Sequence, residues 1–238
     1  MDKNKSDVLI VGAGIAGLVA AYECLNEGLS VIVVDRDKAA KVGGLAKQAF
    51  GGMALVDTPL QRKMGIYDSP ELALKDWYSF AQFCDADYWP KQWANYYVKH
   101  SCEKVYDWLT GLGLRFFPAV NWVERGLQGD GNSLPRYHII WGTGHRLVTL
   151  FQELLNAHAH KKNVSFHFEH KVSEFIFDAG KVKGCKAINK STNTNENFYA
   201  KHVIAACGGI SGNLDKVRAH WYKPWGKAPD ELLNGSHQ

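Results

Sequence analysis

Hydrophobic and polar positions change their period along the chain, and the changes divide it into segments of different structure. Asp7-Val8-Leu9-Ile10-Val11 is a short apolar run broken at Gly12, the pattern of a strand buried on both faces of a parallel sheet. Ile15, Leu18, Val19, Tyr22 and Leu25 then recur at spacings of three and four, which predicts an amphipathic helix stopped by Gly28. Ser30 to Val34 predicts a second buried strand that closes on Asp35. Residues 1–35 therefore predict a strand-helix-strand unit, and residues 36–65, polar and carrying the pairs Gly43-Gly44 and Gly51-Gly52, predict an ordered loop.

From Ser69 to Leu112 the period becomes helical. Ser69-Pro70-Glu71 has the form of an N-cap followed by proline in the first turn, and Trp77, Phe80, Ala81 and Cys84 fall on one face. A second helix is predicted from about Trp89 to Leu109, with Pro90 in its first turn and a stop at Gly111 or Gly113. The aromatics between Trp77 and Trp141 read as core and packing residues. Phe116 to Pro135, with Gly126, Gly129 and Gly131, predicts a loop; a further helix follows Gly142-Thr143-Gly144 and runs through Leu147, Leu150, Phe151 and Leu154 to about His158.

After Asn163 the period is two. Val164, Phe166 and Phe168, then Val172 to Phe177, then Lys181 to Asn189 predict an antiparallel meander with turns at Asp178-Ala179-Gly180 and over Ser191 to Asn197. Lys201 to Cys207 predicts another buried strand leading into Gly208-Gly209, and Asn213 to Ala219 a short helix. The organisation expected is one unit over 1–238: 1–65 strand-helix-strand plus loop, 66–160 helical and aromatic-rich, 161–238 meander, return strand and tail.

The first turn carries chemistry. Gly12-Ala13-Gly14-Ile15-Ala16-Gly17 fits G-x-G-x-x-G between a strand and a helix, with Asp35 at the end of the next strand, which is the context of dinucleotide binding. Gly12 permits the tight turn, Gly14 lets a pyrophosphate approach the backbone, and Gly17 lets helix and strand pack closely. The phosphates fall at the helix start, near Ile15 and Ala16, where free N–H groups and the macrodipole favour negative charge. Asp35 is placed to accept from ribose hydroxyls and argues against a 2′-phosphate, for which only the adjoining Arg36 would compensate. NAD and FAD both remain open on these residues alone.

Composition narrows the partners. The net charge of +4 comes from dispersed Lys and Arg rather than runs, which predicts no nucleic-acid footprint. The first apolar run breaks at Gly12, too short for a signal segment, and no later run approaches a membrane span, so a cytoplasmic protein is expected. Cys24, Cys84, Cys102, Cys185 and Cys207 form no paired motif, and His145, His158, His160, His167 and His170 lack ligand spacing; no metal is expected. Arg136, Tyr137, His138 and Trp141 line either a cofactor or substrate mouth or an aromatic junction.

The sequence resembles the FAD-dependent fumarate reductase/succinate dehydrogenase flavoprotein superfamily, and within it the FAD-binding dehydrogenases related to 3-ketosteroid Δ1-dehydrogenases. The resemblance rests on VGAGIAGLVAA, VVDRD with GGLAKQAFGGM, DSPELALKDWYSFAQF, DYWPKQWANYY, GNSLPRYHIIWGTGHRLV and VIAACGGISGN, and extends over nearly the whole chain. It implies an α/β fold of the glutathione-reductase-like type: an FAD-binding Rossmann core with an antiparallel β meander and a helical insertion. In its terms Gly12, Gly14, Gly17 and Asp35 hold the ADP moiety. Gly43, Gly44, Leu45 and Ala46, continuing to Gly51 and Gly52, pass along the pyrophosphate toward the flavin ring. Val172 meets adenine through its backbone, and Ala205, Ala206, Gly208 and Gly209 line the cofactor. Cys207 stands where the family often has threonine.

The resemblance further implies noncovalent FAD, because no histidine lies between Gly43 and Gly52, and hydride and proton transfer between a substrate C–C bond and the flavin, with a steroid-like ketone among the small-molecule substrates. Family members are much longer, so the region that caps the substrate is expected to be absent from residues 1–238, with self-association or a partner chain completing the site. No catalytic residue is assigned. A noncatalytic dinucleotide-binding module and an ordinary NAD-dependent dehydrogenase are the alternative readings.

Overall fold

A computed structural model describes residues 4–120, 123–125 and 130–233; Gly126 and Gly129 of the predicted loop lie outside the described residues. In chain order the elements are β1 (Lys5–Val11), α1 (Ile15–Asn26), β2 (Val31–Val34), β3 (Gly52–Ala54), α2 (Pro59–Lys63), α3 (Pro70–Ala81), α4 (Tyr88–Ser101), α5 (Trp108–Gly111), β4 (Tyr137–Ile139), α6 (Thr143–Ala157), β5 (Val164–His167), β6 (His170–Asp178), β7 (Lys181–Asn189), β8 (Thr194–Ala205) and α7 (Leu214–Ala219). They group into two compact units, Met1–Leu45 with Phe151–Gln238, and Ala46–Leu150.

The first unit is built on a six-stranded sheet of order β5-β2-β1-β8-β7-β6. The two apolar runs that predicted strands lie side by side, Val8 opposite Val31 and Val11 opposite Val34, in parallel. Every residue of β2 is buried, as the unbroken Val-Ile-Val-Val run requires of a strand covered on both faces. On one face Leu9, Val11, Ile32 and Val34 pack with Cys185, Ala187, Phe198 and Ala200. On α1, Leu18, Ala21 and Leu25 are buried at helical spacing. Tyr22 of the same helix meets Phe151 edge-on at 5.9 Å.

Two sequence expectations are corrected in this sheet. Val164 to Phe168 was expected to open the antiparallel meander; instead β5 pairs in parallel with β2, Val31 opposite Val164 and Val34 opposite His167. Its Phe-x-Phe alternation matches either setting, because a parallel edge strand exposes one face just as a meander strand does. The polar stretch Ser191 to Asn197 was expected to be a turn, but β8 starts at Thr194 and is 12 residues long. Its first half pairs antiparallel with β7, Asn189 opposite Thr194. Its second half pairs in parallel with β1, Lys5 opposite Tyr199 and Val11 opposite Ala205. One strand thus closes the meander and joins it to the β-α-β unit.

In the second unit, residues expected to be loop contain regular structure. Thr58 caps α2 by accepting from the Gln61 backbone N–H while Gln61 Oε1 accepts from the Thr58 N–H, a reciprocal cap that Thr-Pro-x-Gln encodes. Ser69 caps α3 as expected, accepting from Leu72 N. The predicted helix over 89–109 is interrupted: after α4 the chain takes a π-helical turn over Cys102–Asp107 before α5. The aromatics expected in the core are largely outside it: Trp89 is 69% exposed, Trp93 67%, Tyr88 59% and Phe80 56%. Helical spacing alone does not distinguish the covered face of α4, which carries the small residues Ala94, Val98 and Ser101.

Candidate cofactor site

The tip of β1, the start of α1 and the end of β8 converge within the first unit. Gly12 has φ +109°, and a side chain there would collide with the carbonyl oxygen of Ala206, so glycine is required twice over. The Ala206 N–H donates to the Val11 carbonyl at 2.8 Å, fixing the end of β8 against this loop. At Gly17 a side chain would run into the Gly12 carbonyl, the close helix-strand approach expected of the third glycine. Gly14 is different. A Cβ there would meet nothing within 4 Å, so the fold itself does not need glycine at this position.

That open space lies at the start of α1, where backbone N–H groups and the macrodipole favour negative charge. Gly14 is the N-cap of α1, no side chain caps it, and no acidic residue lies in the first turn formed by Ile15, Ala16 and Gly17. The second glycine segment lies alongside: Gly43, itself at φ +104°, donates to the Ala13 carbonyl at 2.9 Å and forms a parallel bridge with Gly14. Gly44 follows, and a Cβ on it would touch Gly14 Cα at 3.5 Å, so both segments leave a strip of bare backbone. Leu45, 48% exposed, continues it.

Asp35 reaches the same place from β2. Its Oδ2 accepts from Ala13 N at 2.6 Å and its Oδ1 from Asp37 N at 2.7 Å. The carboxylate therefore braces the glycine turn as well as presenting an acceptor. Arg36 is half-buried, and its carbonyl accepts from Lys190 Nζ at 3.4 Å. Val172 is half-buried opposite Ala187, packed on the sheet core, beside a register shift between Val172 and Glu174 that interrupts the ladder. Ala205, Gly208 and Gly209 are exposed at the open end of β8. Cys207 Sγ donates to the Val11 carbonyl at 3.6 Å.

Ala46, Gly51 and Gly52 belong to the second unit. Gly51 adopts φ +82°, and a side chain there would press on the backbone of Thr143 and Gly144, while one on Gly144 would press on the Ala46 carbonyl. The Gly51 carbonyl accepts from Ile140 N, and Ala49 O from Gly144 N, both at 3.0 Å. The segment Ala46 to Gly52 is thus sewn onto the Gly142-Thr143-Gly144 turn, a role for the latter that only its doublet of glycines hinted at. The Tyr137 ring lies where a side chain on Gly52 would go.

Arg136, His138 and Trp141, grouped together in the sequence, are separated by the structure. Trp141 is 59% exposed and stacks on Phe117 at 5.6 Å. Arg136 and His138 point the other way, into a buried network. Arg136 forms a two-pronged pair with Asp68, Nε to Oδ2 at 2.7 Å and Nη2 to Oδ1 at 2.8 Å, and bonds Asp76 Oδ2 through Nη1 at 2.6 Å. Burial works against the charge of Arg136, but the two aspartates outweigh it and hold the guanidinium above its ordinary value. His138 is fully buried; its Nδ1 donates to the Arg136 carbonyl and its Nε2 accepts from the Thr58 hydroxyl, each at 2.7 Å.

Burial pushes the His138 imidazole below the free-histidine value of 6.5, and it does the same at His167, where the neighbouring His170 adds to it. Both groups stay neutral in the folded state at pH values where the unfolded chain takes up protons. Stability conferred by their neutral forms is present above about pH 6.5 and is lost as pH falls below it toward the folded values. Thermal denaturation between pH 7.5 and 5 is expected to show a falling midpoint, and His138→Gln is expected to flatten that fall; an unchanged slope would mean that His138 is not held neutral.

Among the described residues there is no group of His, Cys, Asp and Glu suited to a metal ion, and no helix is long and apolar enough to cross a membrane. The strip of bare backbone, the uncapped helix start and the acceptor at the end of β2 fit one ligand class, a dinucleotide. Residues 7–232 match the family described as FAD binding domain. The chain belongs to that family. FAD is accordingly its cofactor, which decides the choice that the glycine turn alone leaves open.

This FAD-binding domain is 43% identical, over 97% of its length, to a KsdD-like steroid dehydrogenase of Mycolicibacterium smegmatis, of which it covers 45%. It is 31% identical, over 89% of its length, to a fumarate reductase (cytochrome) of Shewanella frigidimarina, covering 34% of that protein. The chain thus spans less than half the length of these relatives. The fold matches that of 3-ketosteroid-Δ4-(5α)-dehydrogenase from Rhodococcus jostii, solved with 4-androstene-3,17-dione, with a TM-score of 0.77 at 23% identity, over 98% of this chain and 52% of that one. A flavocytochrome c3 fumarate reductase in its open conformation gives 0.74 at 24% identity, over 94% of this chain and 36% of that one.

Proposed function

We propose that this domain is the FAD-holding part of an oxidoreductase that dehydrogenates a ketosteroid-like substrate. The observation that carries the reading is the open space at Gly14, beside an uncapped helix start and a second glycine segment, in a chain 43% identical to a steroid dehydrogenase. In this reading Gly12, Gly14, Ile15, Ala16 and Gly17 hold the pyrophosphate through backbone N–H groups, with Gly43, Gly44 and Leu45 alongside. Asp35 takes the ribose hydroxyls, with Arg36 beside it. Val172 serves the adenine through its backbone, and Ala205, Ala206, Gly208 and Gly209 border the cofactor. FAD when bound supplies a two-electron acceptor; the chain's own residues bind it and orient it.

The absence of histidine between Gly43 and Gly52 supports noncovalent attachment, so acid precipitation of FAD-loaded protein should leave all the yellow colour in the supernatant. The test of the adenosine side is Asp35→Ala. A charge-assisted hydrogen bond contributes roughly 1.5 to 3 kcal/mol, which corresponds to about a 10- to 150-fold loss of FAD affinity in a fluorescence-quenching titration. Asp35→Asn keeps one acceptor and should lose less. Equal affinity in wild-type and alanine variants would confine Asp35 to bracing the Ala13 turn.

A further inference from the structure

The turn between β5 and β6 is bonded to the segment that carries Asp35. The Asp35 N–H donates to the His167 carbonyl and the His170 N–H to the Asp35 carbonyl, both at 2.9 Å, and the Glu169 N–H donates to the Asp37 carbonyl at 3.0 Å. Because Asp37 N also donates to Asp35 Oδ1, the turn sets where that carboxylate points. The turn itself needs support. Glu169 lies in the left-handed region at φ +60°, a conformation that persists in a non-glycine residue only where its surroundings hold it.

His170 provides the hold. Its ring is buried, edge-on to His167 at 5.7 Å and T-shaped to Phe198 at 5.8 Å. Nδ1 bonds the Phe168 carbonyl at 2.5 Å, bridging Glu169. Nε2 is buried, makes no hydrogen bond, and lies 3.2 Å from Glu196 Oε1, which accepts from Asn189 Nδ2. A neutral ring cannot suit both sides. With its proton on Nδ1, the Nε2 lone pair faces a carboxylate; with its proton on Nε2, the Nδ1 lone pair faces a carbonyl. The imidazolium suits both, donating from Nδ1 and pairing in charge at Nε2. Burial works against the charge of Glu196, but Asn189 and His170 outweigh it and hold the carboxyl below its ordinary value. The titratable groups facing the ring are Glu196 from β8 and His167 from β5, and the latter is held neutral by burial and by His170 itself.

We propose that His170 is a positioning residue for the cofactor: its charged ring, paired with Glu196, fixes the turn and through it the Asp35 carboxylate, so FAD binds more tightly when His170 is protonated. The inference rests on Asp35 taking the ribose hydroxyls. Its sign is distinctive, since affinity falls as pH rises while the stability set by His138 and His167 falls as pH drops.

The test is a fluorescence-quenching titration of the full chain with FAD between pH 6 and 8.5. The wild-type dissociation constant should rise about 3- to 10-fold over that interval, the range for loss of one hydrogen bond. His170→Gln should bind at every pH about as weakly as wild type at pH 8.5. In Glu196→Gln the new amide donates to the neutral ring at Nε2, so affinity should stay at the wild-type pH 6 level throughout. Lost packing would not remove the slope and keep tight binding. A wild-type affinity that ignores pH, or a Glu196→Gln protein that keeps the wild-type slope, would overturn the proposal. If Asp35→Ala still weakens binding, that failure falls on His170 alone; wild-type affinity in Asp35→Ala would overturn the ribose reading and this proposal together.

Discussion

Gly14→Val is expected to abolish measurable FAD binding at micromolar concentrations while leaving the apoprotein as stable as before. The reason is the contrast between two glycines three residues apart. Gly14 has ordinary extended backbone, φ −70° and ψ 179°, and a Cβ there meets no protein atom within 4 Å. The space it fills is the space a pyrophosphate needs. Losing two backbone bonds to a charged phosphate, each about 1.5 to 3 kcal/mol, amounts to an affinity loss of about 100-fold or more. Gly17→Val should do the reverse: its side chain collides with the Gly12 carbonyl, and apoprotein stability should drop by about 1 to 3 kcal/mol or more from overpacking. Calorimetric titration and urea unfolding of both variants separate the effects. A Gly14→Val protein that binds FAD normally would remove the phosphates from this turn.

Arg136→Met is expected to destabilise the protein by about 3 to 5 kcal/mol, among the largest effects of any single change outside the sheet core. The guanidinium is 3% exposed and the facing carboxylates of Asp68 and Asp76 are 0% and 9% exposed, so its removal strands two buried charges. The damage spreads through named bonds: Gln61 Nε2 donates to Asp68 Oδ2 and to the Pro135 carbonyl, and Gln61 also completes the Thr58 cap that carries His138. Arg136→Lys keeps the charge but not the fork, and should recover only part of the loss. Urea unfolding followed by tryptophan fluorescence measures both; a loss under about 1 kcal/mol would show that water reaches the aspartates.

The sequence made the first 35 residues legible because a doubly covered strand has an unbroken apolar run and its glycine turn has fixed spacing. The same physics explains what it concealed. The assignment of β5 depends on which strand lies beside it, information that the period-two pattern of Val164, Phe166 and Phe168 does not carry. Trp89 and Trp93 resemble core residues by type, yet the packed side of α4 is made of Ala94, Val98 and Ser101, and only the neighbouring helix decides that. The sequence leaves Arg136 and His138 open between a cofactor or substrate mouth and an aromatic junction. Their partners Asp68, Asp76 and Thr58 are too distant in sequence for spacing to reveal. For the cofactor turn, Gly12, Gly17 and Asp35 show local contacts consistent with the motif, and Asp35 has a second bond, to Ala13, that a motif does not specify.

The double pairing of β8 bears on how the chain is made. Lys5 has its partner in Tyr199 and Val11 in Ala205, so β1 leaves the ribosome long before the strand that covers its edge exists. At about 5 to 20 residues per second, that interval is on the order of 10 to 40 seconds. Throughout it the Val-Ile-rich β1 lacks its β8 partner, and residues 46–150 are synthesised within the same interval. Slow codons between residues 12 and 193 would lengthen that exposure.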